Sequence, residues 1–109
     1  MIVSTTKNNN NICINLEGEL DQSVASKLRT QLDDYLLNTQ AKNVIFNLDK
    51  LKFMDSTGIG LIMGRYKKLN AKKIAVFITN PNKQIDKVLT ISGIYKIIPK
   101  IWWGVNFNG

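Results

Sequence analysis

The sequence predicts a single α/β domain in which a mixed β-sheet with parallel crossovers packs against α-helices. The chain has 109 residues, 44% of them apolar, which is the size and composition of one globular domain with its own core. Residues 2–16 have the pattern of a β-hairpin, and after residue 43 strand-like apolar runs alternate with helical patterns. Alternating strands and helices imply right-handed crossovers between parallel strands, and the hairpin makes the sheet mixed.

The first part of the chain predicts two strands and a helix. Strands are expected at residues 2–6 and 12–16, on either side of a polar Lys-Asn turn. After them, apolar residues recur every four positions, which is typical of a helix that buries one face. Either Asp21 or Ser23 can cap the start of that helix. The residues that form its apolar stripe are Val24, Leu28, Leu32 and Leu36.

The middle of the chain predicts the centre of the sheet and a second helix. Residues 44–48 form a nearly continuous apolar run, as expected of a strand that is covered on both faces. From Ser56 onward the apolar residues are spaced by three and four positions, so a second helix is expected to begin near that serine. The strand therefore ends just before Asp55 and Ser56.

The last elements are predicted to be a strand, a helix and a short edge strand. Residues 74–78 are apolar, and Asn80-Pro81 supplies a helix cap followed by a favoured first helical residue. Gly93 is expected to end that third helix. A final strand is predicted at residues 96–98.

Composition removes several function classes. The chain has no histidine and one cysteine, which excludes Ser-His-Asp and Cys-His nucleophile systems, an internal disulfide and the usual zinc ligand sets. An enzyme without histidine would need a Ser-Lys or carboxylate mechanism, and no base that could take the proton of Ser56 is evident beside it. We expect no metal and no cofactor. Since no apolar run approaches the roughly 20 residues of a membrane helix, we expect a cytoplasmic protein with no membrane partner.

The chain is basic, with 15 Lys and Arg against 8 Asp and Glu, a formal charge of +7. Such a balance is compatible with an acidic partner, a nucleic acid or a merely basic surface. No aromatic residues interleave with the densest basic cluster to stack on bases, so we expect no direct nucleic-acid binding. That cluster comprises Lys67, Lys68, Lys72 and Lys73.

The Asp55-Ser56-Thr57 turn lies where a strand gives way to a helix, a place that favours negative groups. One interpretation is that one of these three side chains caps the helix. The other is that a hydroxyl there is modified, because a phosphate at this position would change what docks without unfolding the domain. The two interpretations are compatible, and the local sequence does not show whether Ser56 or Thr57 would be the modified residue.

Three glycines follow the turn, but they do not form a nucleotide-binding motif. Their spacing departs from G-x-G-x-x-G, and no phosphate-binding loop sequence occurs. Glycine is unfavourable inside a helix, so each glycine suggests a close approach by another group. We expect internal packing at Gly64, and either packing or a partner's surface at Gly58 and Gly60.

The segment 53–60, Phe-Met-Asp-Ser-Thr-Gly-Ile-Gly, with Gly-Arg-Tyr-Lys at 64–67, resembles the signature of the anti-sigma factor antagonists, whose fold is the STAS domain. Two further segments are similar, Gly-Glu-Leu-Asp at 18–21 and Ile-Ser-Gly-Ile-Tyr-Lys-Ile-Ile at 91–98. The resemblance covers residues 2–98 of one STAS domain spanning 1–109.

The resemblance implies a partner switch in the control of sporulation transcription, in which this protein is a substrate and regulator and not an enzyme. The unmodified protein would bind an anti-sigma factor that is also an ATP-dependent serine kinase, and thereby release the sigma factor. The kinase would then phosphorylate Ser56 and end the complex, and a metal-dependent phosphatase would restore it. The residues assigned to partner contact are Asp21, Asp55, Ser56, Thr57, Gly58 and Gly60. The alternative is a STAS interaction module of a signalling scaffold or transport complex without phosphorylation.

The end of the chain departs from the family pattern. Residues 99–109 are too short and too poor in helix formers for the final helix that members usually carry. We therefore expect this tail to be truncated or diverged. Trp102 and Trp103 either cover part of the surface that such a helix would protect or form an exposed apolar surface. We expect partial covering.

Overall fold

A computed structural model describes residues 1–102 of the chain, and within them it places four strands, three α-helices and one 3-10 turn. Strand β1 pairs antiparallel with β2, whereas β3 and β4 continue the sheet with parallel pairing, in the order β1-β2-β3-β4. The mixed α/β class is therefore confirmed. The elements in chain order are β1 (Ile2–Asn8), β2 (Asn11–Leu20), α1 (Gln22–Leu36), β3 (Asn43–Met54), α2 (Ser56–Ala71), β4 (Ala75–Thr79), α3 (Lys83–Ser92) and the turn Ile94–Lys96.

One core joins the sheet to all three helices. Three residues of the apolar stripe predicted for α1 lie in it, Leu28, Leu32 and Leu36, whereas Val24 is only half-buried and the neighbouring Ala25 is buried instead. Strand β3 is an inner strand covered on both faces, since neighbouring residues Ile45 and Phe46 are both buried. The helices α1 and α2 also pack against each other. None of the helices in residues 1–102 is long and apolar enough to cross a bilayer.

The inner strands extend further than the sequence predicts, to Leu20 and Met54. Their pairing contains register shifts between Asn15 and Glu17 and again between Gly18 and Glu19. A bulge of this kind changes which face a residue occupies, so the regular alternation that marks a strand is lost there. The pairing recovers, and the last pair along the two strands is Leu20 with Met54.

Two predictions in the last part of the chain are wrong. The third helix is capped by Asn82, whose Oδ1 accepts from Ile85 N at 2.9 Å, whereas the predicted cap, Asn80, has a left-handed backbone with φ 58°. The predicted strand at 96–98 is instead a turn in which Ile98 N donates to Ile94 O at 2.8 Å. This turn buries Ile94 and Ile98 beside each other in the core, whereas an extended strand would separate these two residues by about 13 Å.

The chain returns to the sheet edge only after this turn. Lys100 forms a single parallel bridge with Ile78 of β4, and Trp102 beyond it is 98% exposed. The expected covering role is therefore wrong for Trp102, because the short return at the sheet edge leaves its ring in solvent. Trp103 and the remainder of the tail lie outside the described residues.

Candidate partner-binding and phosphorylation site

The candidate site lies at the edge of the sheet where both inner strands end. Leu20 and Met54 are paired, and Asp55 N donates to Leu20 O at 3.3 Å. Asp21 follows β2 and Asp55 follows β3, so both aspartates leave the sheet at the same edge. In sheets with parallel strands this carboxyl edge is where ligands and partners are usually bound.

Each of these aspartates caps the helix that follows it. Asp21 Oδ1 accepts from Ser23 N at 2.9 Å and from the Ser23 hydroxyl, so of the two predicted caps of α1 it is Asp21 that acts. Asp55 Oδ1 accepts from Thr57 N, also at 2.9 Å. Both aspartates have extended backbones, as helix caps do. The hydrogen bond from the Ser23 hydroxyl, and then that from its N–H, lower the pKa of Asp21 below its usual value.

Ser56 is the first residue of α2 and is exposed. Because Asp55 provides the cap, the Ser56 hydroxyl is not needed for it, and within residues 1–102 its side chain makes no hydrogen bond. Thr57 is only half-exposed. Asp55 therefore provides the cap, and Ser56 is the more exposed of the two residues that carry a hydroxyl.

The three glycines of α2 have different surroundings. A Cβ at Gly58 would lie 2.5 Å from Met54 Cγ, so internal packing accounts for this buried glycine. Gly60 is exposed, and a Cβ there would meet nothing within 4 Å. At Gly64 a Cβ would also meet nothing within 4 Å, so the predicted close packing at that position is wrong. Of the two glycines assigned to partner contact, Gly58 and Gly60, only Gly60 has open space around it.

Charge is distributed unevenly between this edge and the rest of the chain. Glu19, Asp21 and Asp55 all lie at the ends of the inner strands. The four clustered lysines of α2 and its C-terminal turn begin at Lys67, about 16 Å along the helix axis from Ser56. Three carboxylates are thus grouped at this edge, and Met1 and Lys52 line the same surface as Glu19 and Asp21. Within the described part of the chain, no three His, Cys, Asp or Glu side chains are grouped to hold a metal.

Two side chains that the sequence did not indicate also contact this edge. Gln84 Nε2 donates to Met54 O at 3.0 Å, and Asn82 Nδ2 donates to Lys52 O at 3.1 Å. These contacts join residues 30 positions apart, so no local pattern signals them. They link the start of α3 to the strand that leads into Ser56.

Comparison with known proteins agrees with this architecture. Residues 3–106 match the STAS domain family. The chain is 35% identical over 88 residues to an anti-sigma F factor antagonist of Paenibacillus polymyxa, covering 81% of this chain and 75% of the relative. It resembles the structure of the anti-sigma factor antagonist SpoIIAA in its unphosphorylated form, with a TM-score of 0.79 and 26% identity over 94% of this chain and 89% of that chain. The phosphorylated form of the Bacillus cell fate determinant SpoIIAA gives a TM-score of 0.71 at 26% identity over 94% and 92% of the two chains.

The chain therefore belongs to the STAS domain family. Within that family it groups with the anti-sigma factor antagonists, as the identity to the Paenibacillus protein shows. The fold expected from the resemblance is confirmed by the match to SpoIIAA.

Proposed function

We propose that this protein is a partner-switching antagonist that binds an anti-sigma factor in its unmodified form and is released by phosphorylation of Ser56. The anti-sigma factor is itself the ATP-dependent serine kinase, and its capture frees a sigma factor in the control of sporulation. A metal-dependent phosphatase removes the phosphate and restores binding. In this scheme the protein is a substrate and a regulator and catalyses nothing itself.

The observation that carries the proposal is the division of roles between Asp55 and Ser56. Asp55 caps α2 by accepting from Thr57 N. Phosphorylation of the exposed Ser56 therefore removes no cap and breaks no side-chain hydrogen bond within residues 1–102. The existence of SpoIIAA structures in both the unphosphorylated and the phosphorylated form supports a modification in this family.

Electrostatics supports a switch at this position. A phosphate adds about −1.5 to −2 charges, and the N-terminus of α2 tolerates that charge through the helix dipole. The neighbouring carboxylates Asp21 and Asp55 would repel the phosphate. An interface that buried the phosphate would also have to remove its hydration shell, which costs free energy. Phosphorylation is therefore expected to leave the fold intact and to weaken binding.

The first experiment is phosphorylation by a candidate anti-sigma kinase with Mg-ATP, read out by intact mass and by mapping of the modified residue. Ser56→Ala is the test variant and Thr57→Ala the matched control, because both replace a hydroxyl in the same helical turn. We expect one phosphate on the wild type and on Thr57→Ala, and none on Ser56→Ala. Absence of phosphate from the wild type, with a kinase that is active on another antagonist, would favour the module without phosphorylation.

The contact role assigned to the aspartates can be separated from their capping role. Asparagine is as good a helix cap as aspartate, so Asp55→Asn and Asp21→Asn keep the cap and remove the charge. We expect both variants to fold normally and to bind the anti-sigma factor more weakly, by calorimetric titration. Unchanged affinity in both would remove these aspartates from the interface.

A further inference from the structure

Within residues 1–102, the end of β3 lacks a neighbouring strand on one side. Strand β4 pairs with β3 only from Asn43 to Asn47, whereas β3 continues to Met54 and pairs there with β2 alone. The N–H and the C=O of one strand residue point to the same side, and Asp55 N and its neighbours are already engaged with β2. The backbone of Met54 therefore faces the side that β4 does not reach.

Two amide side chains from the start of α3 fill this side. Gln84 accepts from Met54 N at 3.3 Å and donates to Met54 O at 3.0 Å, so one side chain satisfies both backbone groups of that residue. Asn82 donates to Leu51 O at 3.3 Å and to Lys52 O at 3.1 Å. We refer to Asn82 and Gln84 together as the amide clamp.

The clamp acts as a substitute for the missing strand. Gln84 offers one donor and one acceptor, as a residue of a neighbouring strand would. Asn82 has a second duty, since its Oδ1 caps α3 through Ile85 N. Asn82 and Gln84 thereby attach the start of α3 to the last residues of β3. The contact of Gln84 is with Met54, two residues before Ser56.

We propose that the amide clamp positions Ser56 for its partner, with Gln84 as the positioning residue that sets where the Asp55-Ser56 turn leaves the sheet. This inference rests on the proposed function, because the partner whose active site must fit that turn is the serine kinase. A kinase needs the attacking hydroxyl oriented at the phosphoryl group, and small misplacements of a reacting atom slow such steps strongly. Gln84 itself touches no reacting atom in this scheme.

The test replaces Gln84 by methionine, which has similar length and helix propensity but can form neither hydrogen bond. The control is Gln31→Met, because Gln31 lies on α1 and its side chain makes no hydrogen bond within residues 1–102. Two readouts are taken for both variants and the wild type. One is steady-state phosphorylation of Ser56, with kcat and KM determined separately, and the other is amide hydrogen exchange by NMR.

We expect Gln84→Met to lower kcat about tenfold and to change KM less than about twofold, because binding surfaces stay in place while the hydroxyl loses its orientation. Exchange of the Met54 amide should accelerate about tenfold on loss of its hydrogen bond. Exchange of the Asp55 amide, which is bonded to Leu20, should remain unchanged. Gln31→Met should match the wild type in both readouts.

Two results would overturn the positioning role. One is a wild-type kcat in Gln84→Met although Met54 exchange is faster, and the other is an unchanged Met54 exchange rate. If an active kinase does not phosphorylate even the wild type, the proposed function fails independently. The clamp is then judged on exchange and on the amide chemical shifts of residues 55–57, which must move in Gln84→Met and stay fixed in Gln31→Met.

Discussion

Gly58→Ala tests whether the conformation before the candidate site depends on close packing between β3 and α2. The added Cβ would lie 2.5 Å from Met54 Cγ, 2.8 Å from its Sδ and 3.0 Å from its Cε, against ordinary contacts of 3.4 to 4 Å. Met54 is fully buried, so its side chain cannot swing into solvent. Cγ is also close to the backbone, so moving it requires a different rotamer inside the core.

Two opposing effects determine the magnitude. Overpacking a core by one methyl group costs about 1–3 kcal/mol. Alanine is better than glycine in a helix by about 1 kcal/mol, and this gain applies because Gly58 has no left-handed backbone. We therefore expect a net loss of about 1 kcal/mol in the free energy of unfolding.

The other two glycines of the same helix are matched controls. At Gly60 and Gly64 the added Cβ meets nothing within 4 Å, so only the helix propensity changes. Alanine at either position should raise the free energy of unfolding by up to about 1 kcal/mol. The sign of the change in the free energy of unfolding should thus reverse between Gly58 and the other two glycines, which lie less than two helical turns away.

The assay is urea unfolding followed by circular dichroism, with m values compared to confirm a common two-state transition. A double variant carrying Met54→Ala removes the clashing atoms, so Gly58→Ala should become neutral or stabilising in that background. A stabilising effect of Gly58→Ala in the wild-type background would refute the packing argument. So would an equal loss with and without the Met54 side chain.

Three further predictions concern other parts of the fold. Gly93→Ala should cost about 1 kcal/mol in urea unfolding, because the φ of 80° at this helix end strains any side chain; an unchanged midpoint would contradict this. Arg65 is 5% exposed, and its Nε lies 2.9 Å from Asp33 Oδ1 in a poorly aligned contact. Asp33→Ala leaves the buried charge without its partner, whereas Arg65→Met removes that charge, so Asp33→Ala should destabilise the protein more. The reverse order of melting temperatures would count against this. Hydrogen bonds from the Tyr95 hydroxyl and then from Lys100 lower the pKa of Asp86 below its usual 3.8. The ionised Asp86 therefore stabilises the fold above about pH 4, and this stabilisation is lost as the pH falls through the lowered pKa of Asp86 in the folded protein. Tyr95→Phe should therefore weaken the dependence of unfolding on pH in that acid range, and an unaltered acid profile would exclude the contact as its source.

Elements with a local signature were predictable from the sequence. The stripe of α1 and the start of α2 follow from apolar spacing, because a helix repeats its face every three to four residues. Asp21 and Asp55 could be recognised as candidate caps, because capping involves only residues two or three positions apart. The exposed tip at Ser56 followed from the same local pattern.

Features that depend on distant residues were not predictable in this way. The full length of β3 is hidden by bulges in its pairing with β2, and the cap of α3 is Asn82 because that side chain also reaches β3. The turn that replaces the predicted strand at 96–98 is selected by burial of Ile94 and Ile98 in the core. In each case the deciding contact joins segments well separated in sequence.

The sequence by itself determined the α/β class, the order of its principal elements and the serine at the tip of α2, because apolar periodicity and capping chemistry act over a few residues. Only the tertiary structure decided that Asp55 takes the cap and leaves Ser56 without a hydrogen-bond partner in residues 1–102. It also decided that Gly58 is fixed by packing while Gly60 is open, and that α3 supports the turn through the amide clamp. The clamp depends on contacts between residues 30 positions apart. The cap and the packing at Gly58 join close neighbours in sequence, and their geometry is set by how the chain turns from β3 into α2.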